Sequence, residues 1–335
     1  MEAIPNDEAS VRRLIGKFPD RAALVACYEA GPGGYELHRL LASMGVACDV
    51  VAPSLIPRGA GDRVKTDPRD AANLALLHRA GLLTAVRVPS PAEEAVRDLV
   101  RTRADLAGDR KRMMQRINAL LTRHGRIWRG AKWTGEHRSW VLGQRFAEPA
   151  LQRALDIYLG ALMARDAELD ALEADLATWV TVEPLAAAVA RLGCYRGIAA
   201  LTGLTLAAEV VDFRRFASAR AFMGFTGLTP AEYSSGRRTR RGAITKAGPQ
   251  LVRTALVEAA WAYRHRPAIG AQLRRRQASA SPATLARSWA AQQRLHATYA
   301  KLTRRGKIPS VAVTATAREL AGFVWAEMTT DRPKP

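Results

Sequence analysis

The chain has 335 residues, of which 48% are apolar and 24% charged, ample for a buried core and ordinary for a globular protein. Its charge balance is unusual: 51 Lys and Arg against 31 Asp and Glu give +20 and a pI near 10.9. Such an excess favours a polyanionic partner. No run reaches the ~18 apolar residues that span a membrane, and the acidic, polar start from Met1 to Arg13 has none of the marks of a signal peptide. Cys27, Cys48 and Cys194 lack zinc-site or disulfide spacing and suit a reducing cytoplasm.

The first third alternates strand and helix. Arg21–Tyr28 is a short β-friendly run, followed by the turn Gly31-Pro32-Gly33-Gly34. Tyr35–Met44 reads as helix, Val46–Ala52 as a second strand, Pro68–Ala80 as helix and Thr84–Val88 as a third strand. This order predicts an α/β layer with at least partly parallel pairing. The middle third is helical, with a long basic amphipathic pattern over Ala92–Arg123 and a second pattern over Leu151–Trp179, joined by a segment rich in Trp and Gly. Leu155, Leu162, Leu169 and Leu176 recur every seven residues, with Arg165 interrupting the seam once. That spacing favours a two-helix coiled coil between subunits, although a plain helical hairpin shows the same leucine pattern.

The last third opens with Cys194-Tyr195-Arg196-Gly197-Ile198 before Leu201–Val210. A Gly between two short helices resembles a helix-hairpin-helix, which binds phosphate through backbone amides, and also suits plain helix packing. From Pro249 onward the chain reads as basic helix. Between Tyr233 and Arg318, 18 Lys and Arg face a single acid, Glu258. Phosphate neutralisation with counterion release is the favoured use of such a surface.

Three groups of residues carry candidate chemistry. Glu29 stands at the C-terminal end of the first strand, where open α/β sheets gather active-site residues. Asp67-Pro68-Arg69-Asp70 reads as a helix start, with Asp67 as N-cap and Pro68 as first helical residue. The same spacing sets two carboxylates one turn apart, and with Glu29 they suit Mg²⁺, which prefers oxygen ligands. Tyr233-Ser234-Ser235-Gly236 reads as a turn or as a nucleophile loop. Arg237, Arg238, Arg240, Arg241 and Lys246 surround it with groups that collect phosphates. His124 and His137, among tryptophans, read as satisfied packing histidines.

The order of these motifs resembles the DEDD-type, one-ten family of insertion-sequence transposases. The likeness rests on Tyr28-Glu29-Ala30-Gly31-Pro32, Val51-Ala52-Pro53-Ser54 and Lys65-Thr66-Asp67-Pro68-Arg69-Asp70-Ala71 in the first third. In the last third it rests on Asp212-Phe213-Arg214-Arg215-Phe216, Gly227-Leu228-Thr229-Pro230, Tyr233-Ser234-Ser235-Gly236 and Ile244-Thr245-Lys246. The resemblance implies a resolvase-like (RNase H-like) α/β domain over 1–90, a helical coiled-coil connector over 91–190, and a mostly α-helical, serine-bearing domain over 191–335. It implies a Mg²⁺-dependent recombinase acting on DNA, a structured bridge RNA as partner, and a homo-oligomer (dimer or tetramer) held by the coiled coil. Glu29, Asp67 and Asp70 match the second, third and fourth metal ligands, and Ser235 the nucleophile, with Ser234 as the competing register. The family's first aspartate lies on a strand before the segment matching Asn6-Asp7-Glu8-Ala9. Five residues precede Asn6 here, so the resemblance implies a partial catalytic domain one ligand short, whose activity as it stands is left open. Two readings compete with recombination: a hydrolytic, resolvase-like nuclease, and a non-catalytic nucleic-acid-binding protein.

Overall fold

A computed structural model describes residues 3–57, 66–233 and 240–330. The chain divides into two units, Met1–Ser90 and Pro91–Pro335. In the first, α1 (Glu8–Gly16), β1 (Val25–Glu29), α2 (Glu36–Ser43), β2 (Ala47–Val51) and α3 (Asp67–Arg79) follow one another. β1 and β2 pair in parallel, from Val25 opposite Ala47 to Glu29 opposite Val51, with α2 as the crossover that parallel pairing requires. Strand side chains alternate between faces. Ala26 and Cys48 pack with Val11 and Ile15 of α1 and Leu41 of α2. On the other face, Cys27 Sγ lies 3.9 Å from the Leu74 carbonyl, and His78 Nε2 lies 2.9 Å from an Asp49 carboxylate oxygen. Helices therefore cover both faces of the pair.

The predicted third strand is reduced to one antiparallel bridge, Ala85 opposite Val51. The Ala52 amide donates to Thr84 at 3.2 Å and the Val86 amide to Val50 at 2.7 Å. Gly81 reverses the chain at φ 67 just before this segment, and Pro89, without an N–H, follows it, leaving little room for a longer ladder.

The described residues of the second unit are helical apart from one short hairpin and the connecting turns. Its first helices are α4 (Pro91–Arg123), α5 (Gly135–Leu142) and α6 (Pro149–Trp179). Leu155 and Leu162 are buried with Ile117, Leu120 and Leu121 near the end of α4. Leu172 and Leu176 are buried with Val96 and Val100 near its start. The two helices therefore run antiparallel. Between these apolar ends Leu169 is also buried, and ion pairs flank it: Arg103 Nε donates to Glu173 at 2.8 Å, and Asp166 takes both Arg110 and Arg138. Of the two arrangements that fit the heptad, the chain adopts the hairpin. An intersubunit coiled coil through these leucines has no free seam, because α4 fills it.

At the turn of this hairpin His137 is 0% exposed, with the rings of Trp128, Trp133 and Trp140 5.1–5.6 Å away. Its Nδ1 accepts from the Trp133 amide at 2.9 Å, whereas Nε2 has no partner among the described residues. Burial, then the Lys132 charge, holds its pKa below the usual histidine value, so the ring stays neutral. It is a packing histidine, as expected, but satisfied at one nitrogen only.

The remaining elements are α7 (Leu185–Gly193), α8 (Ala200–Val210), α9 (Ala219–Phe225), β3 (Pro230–Glu232), β4 (Arg241–Ile244), α10 (Gln250–Ala260), α11 (Ala271–Arg276), α12 (Pro282–Arg304) and α13 (Pro309–Thr329). α13 is the centre of this bundle: Val313, Ala317, Leu320, Ala321 and Val324 are buried against α9, α10 and α12. α8 belongs to both halves of the unit. Its Leu204, Ala207 and Ala208 pack on the base of the hairpin, and Arg101 grips Glu209 at 2.7 and 3.1 Å. α7 and α8 are joined by a tight turn at Gly197 (φ 85), where a Cβ would stand 2.2 Å from the Ala259 carbonyl oxygen. No described helix is long and apolar enough to cross a membrane.

Candidate active site

Glu29 is exposed at the end of β1, and its backbone is pinned on both sides. The Tyr28 hydroxyl donates to the Gly34 carbonyl at 2.9 Å, and the Ala30 amide donates to Val51 at 2.9 Å. By strand alternation Glu29 shares the face of Cys27, toward α3. Ala71, Leu74, Ala75 and His78 of α3 line a hollow of about 790 Å³ together with Cys27 and Glu29. Asp67 and Asp70 precede Ala71 and Leu74 by four residues, so they continue the same helical stripe one turn upstream.

The cap is shifted by one residue from expectation. Thr66, with extended backbone (φ −139, ψ 143), takes the N-cap position, and Asp67 and Pro68 are both helical. Pro68 fits the first or second helical position equally well, since both N–H groups would be unpaired, so it does not fix the register. Both aspartates thus lie in the first turn, where the helix dipole favours negative charge. Among the described residues no group of three or more His, Cys, Asp or Glu is gathered closely enough to hold a metal ion. Glu29 and the two aspartates stand on adjacent elements, each an oxygen donor of the kind Mg²⁺ takes, but they are not closed into one site.

The serine segment lies partly outside the described residues: Ser234, Ser235, Arg237 and Arg238 belong to 234–239. Its base is well defined. β3 and β4 pair antiparallel, Pro230 opposite Ile244 and Glu232 opposite Arg241, and the Tyr233 amide donates to Arg240 at 2.9 Å. Residues 234–239 therefore join the two strands of a hairpin. Arg240 and Lys246 are both exposed on its flanks, while Arg241 contributes backbone to β4.

Behind the hairpin the backbone is packed to contact. A Cβ on Gly227 would stand 2.1 Å from the Ala247 carbonyl oxygen. Between these segments Lys246 adopts φ 56, a left-handed conformation that costs a non-glycine residue about 1 kcal/mol or more. One terminal nitrogen of Arg253 holds the assembly, 3.2–3.3 Å from the carbonyls of Thr226, Lys246 and Ala247. Sequence reading missed Arg253 because nothing in its helix marks it; the bracketing Gly227 and Gly248 were the available signal. Asp212-Phe213-Arg214-Arg215-Phe216 proves to be packing: Asp212 caps a short 3₁₀ turn, and Arg215 stacks 4.6 and 4.7 Å from the rings of Phe216 and Phe225.

Residues 190–274, which include this hairpin, match the profile of the Transposase IS116/IS110/IS902 family, and residues 1–125 match a second transposase profile of the DEDD, IS110 type. A protein of Sinorhizobium fredii named as a transposase is 46% identical over 321 residues, 95% of this chain and 79% of the relative. The chain belongs to the IS110/IS116 transposase family. The transposase for insertion sequence element IS1533 of Leptospira borgpetersenii is 32% identical over 313 residues, 91% of this chain and 90% of the relative. The match over residues 1–125 of this transposase contains Glu29, Asp67 and Asp70, and the match over 190–274 contains the clamped hairpin.

Proposed function

We propose that this transposase cuts and rejoins DNA with Ser235 as nucleophile, assisted by a divalent metal held by Glu29, Asp67 and Asp70. In this reading 1–90 is a resolvase-like catalytic domain, 91–190 a helical connector and 191–335 the serine-bearing domain. The observation that carries it is the hairpin base, where Arg253, Gly227 and Gly248 hold a strained Lys246 and fix both strands that flank the serine segment. A nucleophile gains most from such fixed geometry.

The Ser235 oxygen forms an ester with phosphorus as the bond to the departing deoxyribose oxygen breaks, and the serine proton ends on that oxygen. The bond energy is kept in the ester, so a second DNA hydroxyl can reverse the step onto a new end. Arg237, Arg238, Arg240, Arg241 and Lys246 stabilise the charge on the pentavalent phosphorus. The metal, taken as Mg²⁺, supplies Lewis-acid stabilisation of developing oxygen charge when bound. A bridge RNA and an oligomeric assembly complete the reading implied by the family likeness. Subunit contact would use surfaces other than the Leu155–Leu176 seam.

The test is adduct trapping in cells that carry the gene with its flanking non-coding DNA. A protein–DNA adduct that survives denaturation is expected, lost in Ser235→Ala. Asp70→Ala should abolish cleavage and leave DNA binding within about twofold. Loss in Ser234→Ala with retention in Ser235→Ala moves the register by one. Adduct in both variants, or cleavage with no adduct in the unmodified protein, ends the serine reading in favour of a hydrolytic nuclease.

A further inference from the structure

We propose that the hollow between α7 and the α11–α12 turn seats one backbone phosphate of DNA, at a place separate from the serine hairpin. The inference rests on DNA being the partner. The hollow measures about 290 Å³, and its polar lining comes from Arg191, Arg276, Ser279, Ser281 and Thr284.

Arg276 is the group that makes it a seat. Its Nε donates to the Gly193 carbonyl at 2.8 Å, and its stem lies against Gly193, where a Cβ would come within 3.7 Å of Arg276 Cδ. Among the described residues nothing accepts from its two terminal nitrogens and no carboxylate pairs with it. A guanidinium pinned through Nε, with its outer fork unused, is set for bidentate binding of a phosphate. The Ser279 hydroxyl at the rim is exposed and likewise has no partner among the described residues.

The floor adds positive field. The buried Glu327 carboxylate binds Arg191 (3.0 Å) and Arg287 (2.7 Å), and Arg276 adds a further positive charge at the hollow. No acidic residue occurs from Ala259 to Arg318, Glu327 is 0% exposed, and none of the described residues that line the hollow carries a carboxylate. The turn is held from behind: Gln277 Nε2 and Ser288 Oγ both donate to the Cys194 carbonyl, at 2.9 and 2.7 Å. Arg276 and Ser279 are therefore presented by fixed backbone, which reduces the ordering cost of binding.

Binding of the full chain to a duplex of its own element's end, measured at salt from 50 to 200 mM, tests this. Arg276→Ala should weaken binding about tenfold and make the slope of log K against log salt shallower by about 0.9, the signature of one phosphate lost. Ser279→Glu, at an exposed position without hydrogen bonds, should lower affinity similarly with an unchanged melting temperature. Arg276→Lys keeps the charge and loses the fork, so it should recover less than half of the lost affinity. Wild-type slope and affinity in both Arg276→Ala and Ser279→Glu overturn the seat. So does full recovery in Arg276→Lys, which would mark diffuse charge. A wild-type chain that binds the duplex while these variants match it sinks this inference alone; a wild-type chain that does not bind sinks the DNA reading beneath it.

Discussion

Gly248 lies against the backbone of Phe225 so closely that a methyl group on its α-carbon would stand 1.8 Å from the Phe225 carbonyl oxygen. Its φ of 74 adds a second constraint, since L side chains rarely adopt it. Gly248→Ala must therefore push α9 and the segment between β4 and α10 apart. The expected cost is upwards of about 3 kcal/mol, read by denaturant unfolding, with loss of the hairpin's activity. An alanine variant of wild-type stability would show that this contact is not formed.

The α4–α6 seam makes a second expectation. Leu162 is 5% exposed and packs among Ile117, Leu120 and Leu121 of the same chain. Leu162→Ala should cost about 2–5 kcal/mol of unfolding free energy by leaving a cavity, with no change in sedimenting mass under native conditions. Dissociation into smaller species at undiminished stability would instead place the seam between subunits.

Glu327 links stability to acid. Burial alone pushes its carboxyl up, but hydrogen bonds from Arg287, Thr284 and Arg191 outweigh that and hold it below the usual value of 4.5. A carboxyl whose folded pKa is lowered contributes stability that is complete above 4.5 and fades as pH falls through the folded value. Wild-type stability should therefore drop faster than that of Glu327→Gln below pH 4.5. At pH 7 the variant should be less stable by roughly 3 kcal/mol, because two arginines lose their counter-charge. Parallel stability curves from pH 6 to pH 3 would contradict this assignment.

The basic surface sets the salt response. With 18 Lys and Arg against one acid between Tyr233 and Arg318, DNA binding by the full chain should weaken about 10³-fold or more between 50 and 200 mM salt, if about six or more phosphates are engaged. A flat dependence, measured by fluorescence anisotropy on any duplex, would remove phosphate contact as the source of affinity.

Much of this was legible in the residues. Alternating apolar runs gave β1, α2, β2 and α3, and the Glu29 strand end with the Asp67–Asp70 spacing on α3 followed from short-range geometry. The heptad leucines marked one apolar stripe on α6 and the motifs marked the family, since both are local patterns. What a local pattern leaves open is the partner. The Leu155–Leu176 spacing is the same whether the facing helix is α4 or another subunit, and a tethered α4 at high effective concentration takes the seam. The third strand shrank to the Val51–Ala85 bridge because ladder length depends on where the chain returns. Arg253 and Arg276 were invisible for the same reason. Arg253 gains its role from carbonyls that packing brings to it, and Arg276 from Gly193, 83 residues away, so only the tertiary structure could assign either.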